Sequence, residues 1–186
     1  LKSFNGNAVE KFQEALEAVK SHKSKGIVLD LRDNGGGDLS ILEKIGNMIL
    51  PEGRIIYAQD RHGNTVCEIK SSGADLDLPI VILTNGNTAS ASEALAGAAR
   101  DRNTAVLVGT KTFGKGIMQS TYTLDNEGAF KLTTAKYYLP SGECIHGTGL
   151  TPEYEVVLPG GEESRPYDMT DEADTQLQKA LELLGQ

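Results

Sequence analysis

The sequence predicts an α/β fold, and three features carry that prediction. Residues 26–31 (GIVLDL), 78–84 (LPIVILT) and 104–109 (TAVLVG) are dominated by apolar residues, as strands buried on both faces are. Amphipathic helical patterns alternate with them, as crossovers between parallel strands do. Beyond Gly109 the pattern changes to a period of two, which belongs to an antiparallel hairpin. At 186 residues the chain suits one domain with a sizeable core and an appended tail.

Taken in order, Asn7 with Glu10 marks a helix start, followed by an apolar face of Val9, Phe12, Leu16 and Val19 at helical spacing. The strand 26–31 runs into the loop RDNGGGD. A second helix then turns Ile41, Leu42, Ile45, Met48 and Ile49 inward and ends at Pro51. Residues 54–70 read as a hairpin turning at RHGN. After the strand 78–84, Ser90-Ala91-Ser92-Glu93 has the form of a capping box opening a third helix. IMQSTYTL, the turn DNEG (125–128) and AFKLTTAKYYL form the second hairpin. PGGEESRP (159–166) reads as a solvated linker. A last amphipathic helix carries Ala173, Leu177, Ala180, Leu181 and Leu184 behind a Thr170 cap. The expected division is a domain over 1–158 and a linker with helix over 159–186.

Hydrophobic residues make up 39% and charged residues 24%, ordinary for a globular protein. The net charge of −8 argues against nucleic acid as a main partner, because phosphate binding needs a basic surface. No apolar run approaches a membrane span, and no signal peptide is visible. Leu1 is not a start methionine, so the chain reads as a fragment. Cys67 and Cys144 match no zinc spacing and read as small core or surface residues; a disulfide between them cannot be read from sequence.

Three stretches are candidates for chemistry. GTKTFGKG (109–116) is most of a phosphate-binding loop, but Gly116 stands where Ser or Thr is needed and a β pattern follows in place of a helix. In DLRDNGGGD, the acids Asp30, Asp33 and Asp38 lack calcium-loop spacing. Its triple glycine, at the end of a parallel strand, is suited either to a plain tight turn or to presenting bare backbone N–H groups. The third is Ser90, read as a helix cap or as a nucleophile in need of a base. His22 and His62 fall in polar surroundings, and His146 in CIHGTG has no evident carboxylate partner. Lys115, flanked by Gly114 and Gly116, can act as a base if burial, with Phe113 as a wall, favours its neutral form; as an exposed turn lysine it would not.

With these pieces in order, the chain resembles the catalytic domain of the C-terminal processing proteases, also called tail-specific proteases. The resemblance runs from about residue 3 to residue 156. It rests on GIVLDLRDNGGG, ILTNGNTASASEALAGAARD, VGTKTFGKGIMQ and KLTTAKYYLPSGECIHGTGLTPEYEV, in the family's order. The resemblance implies Ser90 as nucleophile, Lys115 as base and Gln119 as the residue holding the lysine. The oxyanion donors it implies are the backbone N–H of Ala91 and one from the glycine loop, Gly36. It further implies a spiral α/β core shared with crotonase-like and Clp-type proteins and no cofactor or metal. The expected substrates are loosely structured C-terminal tails, cut by an exported, periplasmic or otherwise extracytoplasmic enzyme. A homo-oligomer stays open. The family's PDZ domain has no counterpart in this segment, and Cys144 stands at a position usually polar in the family. A catalytically inactive scaffold or binding module of the same fold is the competing reading.

Overall fold

The computed structural model describes residues 1–185 except Asp75, Asn126, Glu127, Glu162 and Glu163. The middle of the DNEG turn and part of the 159–166 segment therefore lie outside the described residues. The elements are α1 (Ala8–Ser21), β1 (Ile27–Asp30), α2 (Leu39–Ile49), β2 (Gly53–Gln59), β3 (Thr65–Ser71), β4 (Ile80–Thr84), α3 (Ala91–Asp101), β5 (Ala105–Gly109), β6 (Ile117–Thr123), β7 (Ala129–Tyr138), β8 (Tyr154–Glu155) and α4 (Thr175–Leu183). None of the helices is long and apolar enough to cross a membrane among the described residues.

Two sheets result. The parallel one has the order β1-β4-β5-β8, and the antiparallel one β3-β2-β7-β6. Strand β4 is buried at every position. Its Ile80 and Ile82 turn to the main core, with Leu95 and Ala98 of α3 and Leu42 and Ile45 of α2. Its Val81 and Leu83 turn the other way, onto Ala180 and Leu183 of α4 and Leu184 just beyond it. A strand covered on both faces needs apolar residues at both parities, which is why LPIVILT shows no alternation.

The sequence-level elements are borne out, with four differences. The two hairpins are one sheet, because Tyr57, Ala58 and Gln59 of β2 pair with Tyr138, Tyr137 and Lys136 of β7. Strand β8, pairing with β5 through Tyr154 and Glu155, was not foreseen. Asn7 precedes α1 but makes no side-chain cap hydrogen bond. Finally, α4 is capped by Asp174, whose carboxylate accepts from Gln176 N and Leu177 N, and not by Thr170. The Thr170 carbonyl instead closes a turn, accepting from Ala173 N and Asp174 N.

The C-terminal helix is bolted to the glycine loop by Arg32, which is only 4% exposed. Its guanidinium donates to Asp30 Oδ2 at 2.7 Å, to Asp174 Oδ1 at 3.0 Å and to Gln176 Oε1 at 3.0 Å. Burial opposes the charge, but hydrogen bonds and attraction from the two aspartates prevail and raise the arginine's pKa. Tyr167, in the 3-10 turn Pro166–Asp168, donates to the Arg32 carbonyl at 3.1 Å.

Candidate active site

Three loops at the carboxyl ends of β1, β4 and β5 build the site, where open parallel sheets place their ligands. After β4, Thr88 fixes the turn: its hydroxyl donates to Leu31 O at 2.9 Å and accepts from Asn85 N at 3.0 Å. Ser90 follows with φ 60° and ψ −119°, a conformation that costs on the order of 1–3 kcal/mol for a residue with a side chain. Ala91 is the first helical residue, so its N–H has no acceptor within the helix.

The loop after β5 is tied to this turn through Glu93. Fully buried, Glu93 accepts four hydrogen bonds. Its Oε2 takes Ser90 N at 2.9 Å and Lys115 N at 2.9 Å; its Oε1 takes Gly114 N at 2.7 Å and the Thr112 hydroxyl at 2.5 Å. One carboxylate oxygen thus holds the backbones of Ser90 and Lys115, 25 positions apart, in register. From the opposite sheet, the buried Tyr137 hydroxyl reaches both carbonyls, Ser90 O at 3.1 Å and Lys115 O at 2.6 Å. Burial first, then the charges of Glu93 and Cys144, push the phenol's pKa far up, so it remains a donor. The glycines beside Lys115 are needed for packing. A Cβ on Gly114, where φ is +90°, would meet Gly149 N at 2.8 Å, and one on Gly116 would meet His146 N at 2.8 Å.

The glycine loop presses on the same turn. Asp33 accepts from Asn85 Nδ2 and Asn87 Nδ2 at 2.9 and 2.8 Å, and Asn34 O accepts from Ala89 N at 3.0 Å. Gly36 has φ +94°, and a Cβ there would lie 2.7 Å from Ala89 O and 2.9 Å from Ser90 Cβ. Its own N–H donates to Asn34 Oδ1 at 2.9 Å. Gly36→Ala is expected to push the loop off the Ser90 turn, lowering kcat/KM about 100-fold if the loop supplies an oxyanion donor. A peptide-cleavage assay checks it, and full activity would detach the loop from the chemistry.

The expectations for Lys115 and Gln119 come out differently. Lys115 and Gln119 are both exposed, and Phe113 is 66% exposed, so the expected wall and burial are not there. Gln119 follows an irregularity in the β6–β7 register, between Met118 and Gln119, and no hydrogen bond joins it to Lys115. His22, His62 and His146 are exposed. Cys67 and Cys144 are free thiols. Gly116 leads directly into β6, so no helix end faces the 109–116 loop as a phosphate site would require.

Residues 1–156 match the family model of peptidase family S41. The chain belongs to peptidase family S41. A carboxyl-terminal-processing protease of Synechocystis sp. is 40% identical over 184 residues, covering 99% of this chain and 42% of that protein. One from Bartonella bacilliformis is 40% identical over 173 residues, covering 90% and 40%. Among solved structures, a photosystem II D1 C-terminal processing protease superposes with a TM-score of 0.81 at 34% identity, covering 86% of this chain and 42% of that one. The S41 chain thus spans about two fifths of the length of the curated relatives it matches.

Sequence reasoning missed three features of this candidate site: the full role of Glu93, the Thr112 hydroxyl and Tyr137. The box pattern accounts for Glu93 and Ser90 N alone. A stronger signal was available, since Glu93 sits in ASEALAGAA, a helix of small residues buried on every side. An acid at such a position needs several donors.

Proposed function

We propose that this chain is the catalytic portion of a serine peptidase that cuts loosely structured protein substrates near their C-termini through a Ser90–Lys115 pair. The observation that carries the reading is the shared Glu93 carboxylate oxygen, which fixes the Ser90 and Lys115 backbones side by side. The names of the relatives support cleavage near a C-terminus, and the family resemblance supports an extracytoplasmic location.

In this mechanism the neutral Lys115 amine takes the Ser90 hydroxyl proton as Oγ attacks the scissile carbonyl carbon. The resulting oxyanion rests on the Ala91 N–H, at the positive end of α3, and on Gly36 N–H once Asn34 Oδ1 releases it. Collapse breaks the C–N bond, and the lysine ammonium protonates the departing amine. Lys115 then draws a proton from water as its oxygen attacks the acyl carbon; the C–Oγ ester bond breaks and the lysine ammonium passes that proton to Ser90 Oγ, restoring both residues. Because Lys115 is exposed, substrate lying over the site is what strips water from the amine and favours its neutral form, with Gln119 orienting it.

Ser90→Ala, made in the full-length protein that carries this chain, is expected to lower kcat by on the order of 10⁴–10⁶. The same change relieves a positive-φ side chain only partly, so Tm should move little. Cleavage of an unstructured peptide and a thermal melt measure the two effects. Retained cleavage removes Ser90 from the mechanism. The exposed and unpaired Lys115 favours the inactive-scaffold reading, which predicts that wild type and Ser90→Ala are equally without cleavage.

A further inference from the structure

The hairpin of β6 and β7 extends beyond the body of the protein with an uncovered apolar face. Met118 at its base packs against the main core. Alternation puts Ser120 and Tyr122 on the face of Met118, and directly across the ladder lie Leu132 and Phe130. Tyr122 and Phe130 stack with ring centroids 5.3 Å apart. Yet Tyr122 is 45% exposed, Phe130 46% and Leu132 52%. The opposite face, with Thr121, Thr123, Lys131 and Thr133, is polar, so the arm is amphipathic and its apolar side continues the core surface outward.

The outer side of β6 is also open, because β6 ends the sheet order. Free edges are usually defended by Lys, Pro or other charges. The strand IMQSTYT contains no charged residue and no proline. It starts two residues after Lys115, so its open edge runs directly away from the proposed chemistry.

We propose that this edge takes the substrate polypeptide as an added strand, with apolar substrate side chains resting on Tyr122, Phe130 and Leu132. The proposal rests on the Ser90–Lys115 reading for its location. Backbone pairing gives sequence-tolerant affinity, and the apolar face selects which extended segments bind. At about 3.3 Å per residue, Tyr122 lies roughly 20 Å along the strand from Lys115, so the contact falls about six or seven residues from the scissile bond. A second copy pairing edge to edge would use the same surface, but it would cover the approach to Lys115.

The test uses Ser90→Ala protein and a fluorescently labelled 14-residue unstructured peptide carrying Leu and Phe six to eight residues from the cut. Anisotropy is expected to give a Kd about tenfold weaker for the Leu132→Ser/Phe130→Ser variant. It should weaken similarly for the parent protein with a peptide N-methylated at alternate amides of that segment, which cannot pair as a strand. In cleavage-competent protein, the kcat/KM ratio of the 14-residue peptide to an 8-residue version should fall from about 10 toward 1 in the double variant. Equal binding of methylated and unmethylated peptides, or a ratio unaffected by the double variant, overturns the proposal. So does a concentration-dependent dimer that the variant abolishes while peptide binding persists. Failure of the Ser90 reading shows separately, as absence of cleavage with both peptide lengths while binding can still be measured.

Discussion

Glu93→Gln is expected to lower Tm by roughly 10 °C and to reduce kcat at least about 100-fold, although the side chains have nearly the same shape. Each carboxylate oxygen accepts two donors, and at least one of each pair is a backbone N–H that cannot turn around. Whichever way the amide is placed, its NH2 confronts such a donor. Thr112 relieves this only in part: its hydroxyl already accepts from Leu150 N at 2.7 Å and can take the amide with its second lone pair, but the Gly114 N–H on the same side stays without an acceptor. Leaving one or two buried donors unpaired costs about 1–3 kcal/mol each, which at roughly 2–4 °C per kcal/mol gives the expected shift. The activity loss has a separate origin: Ser90 and Lys115 lose their common anchor. Calorimetry with steady-state kinetics measures both, and wild-type kcat in a destabilised Glu93→Gln protein would show that the anchor serves the fold alone.

Lys115→Arg is expected to behave in the opposite way, with a large loss of activity and almost none of stability. The lysine side chain is exposed and unpaired, so Tm should correspond to a change within about 0.5 kcal/mol. The guanidinium keeps the positive charge but does not release its proton near neutral pH. Losing the base should therefore lower kcat/KM by about 10²–10⁴. Measured against pH, the variant should show no recovery up to the alkaline limit of the protein's stability. Substantial activity would mean that the site requires a positive charge and not proton abstraction, and the Ser–Lys mechanism would fall.

The parts of this molecule that were legible in the sequence are those with a local period or a short motif. Strand β4 announces itself because both faces are buried, β1 and β5 because they are short apolar runs, and the start of α3 because Ser90 and Glu93 are three residues apart. What stayed hidden depends on partners distant in the chain. Nothing near Tyr57 signals its pairing with Tyr138, and nothing near Glu93 signals donors 19 to 22 residues ahead. Thr170 and Asp174 are both cap-forming types one helical turn apart, and composition cannot choose between them; the buried Arg32 does, by drawing Asp174 inward. The exposure of Lys115 was illegible for a similar reason, since Phe113 turns to solvent only because Gly114 and Gly116 pack against residues 145–149.

The Arg32 contacts carry a consequence for how this protein breathes. A buried guanidinium is tolerable while its carboxylates stay in place, and removing one leaves an uncompensated charge. Asp174 and Gln176 lie 142 and 144 positions away at the start of the last helix, while Asp30 ends β1 and Arg32 opens the glycine loop. The first turn of helix α4 is therefore not expected to fray by itself, as the ends of terminal helices commonly do. Its detachment and the loosening of residues 30–36 form one cooperative opening, and their amide protons should exchange with solvent as a single unit. The folded unit that keeps Gly36 against Ser90 accordingly reaches past residue 156, where the family match stops, to helix α4.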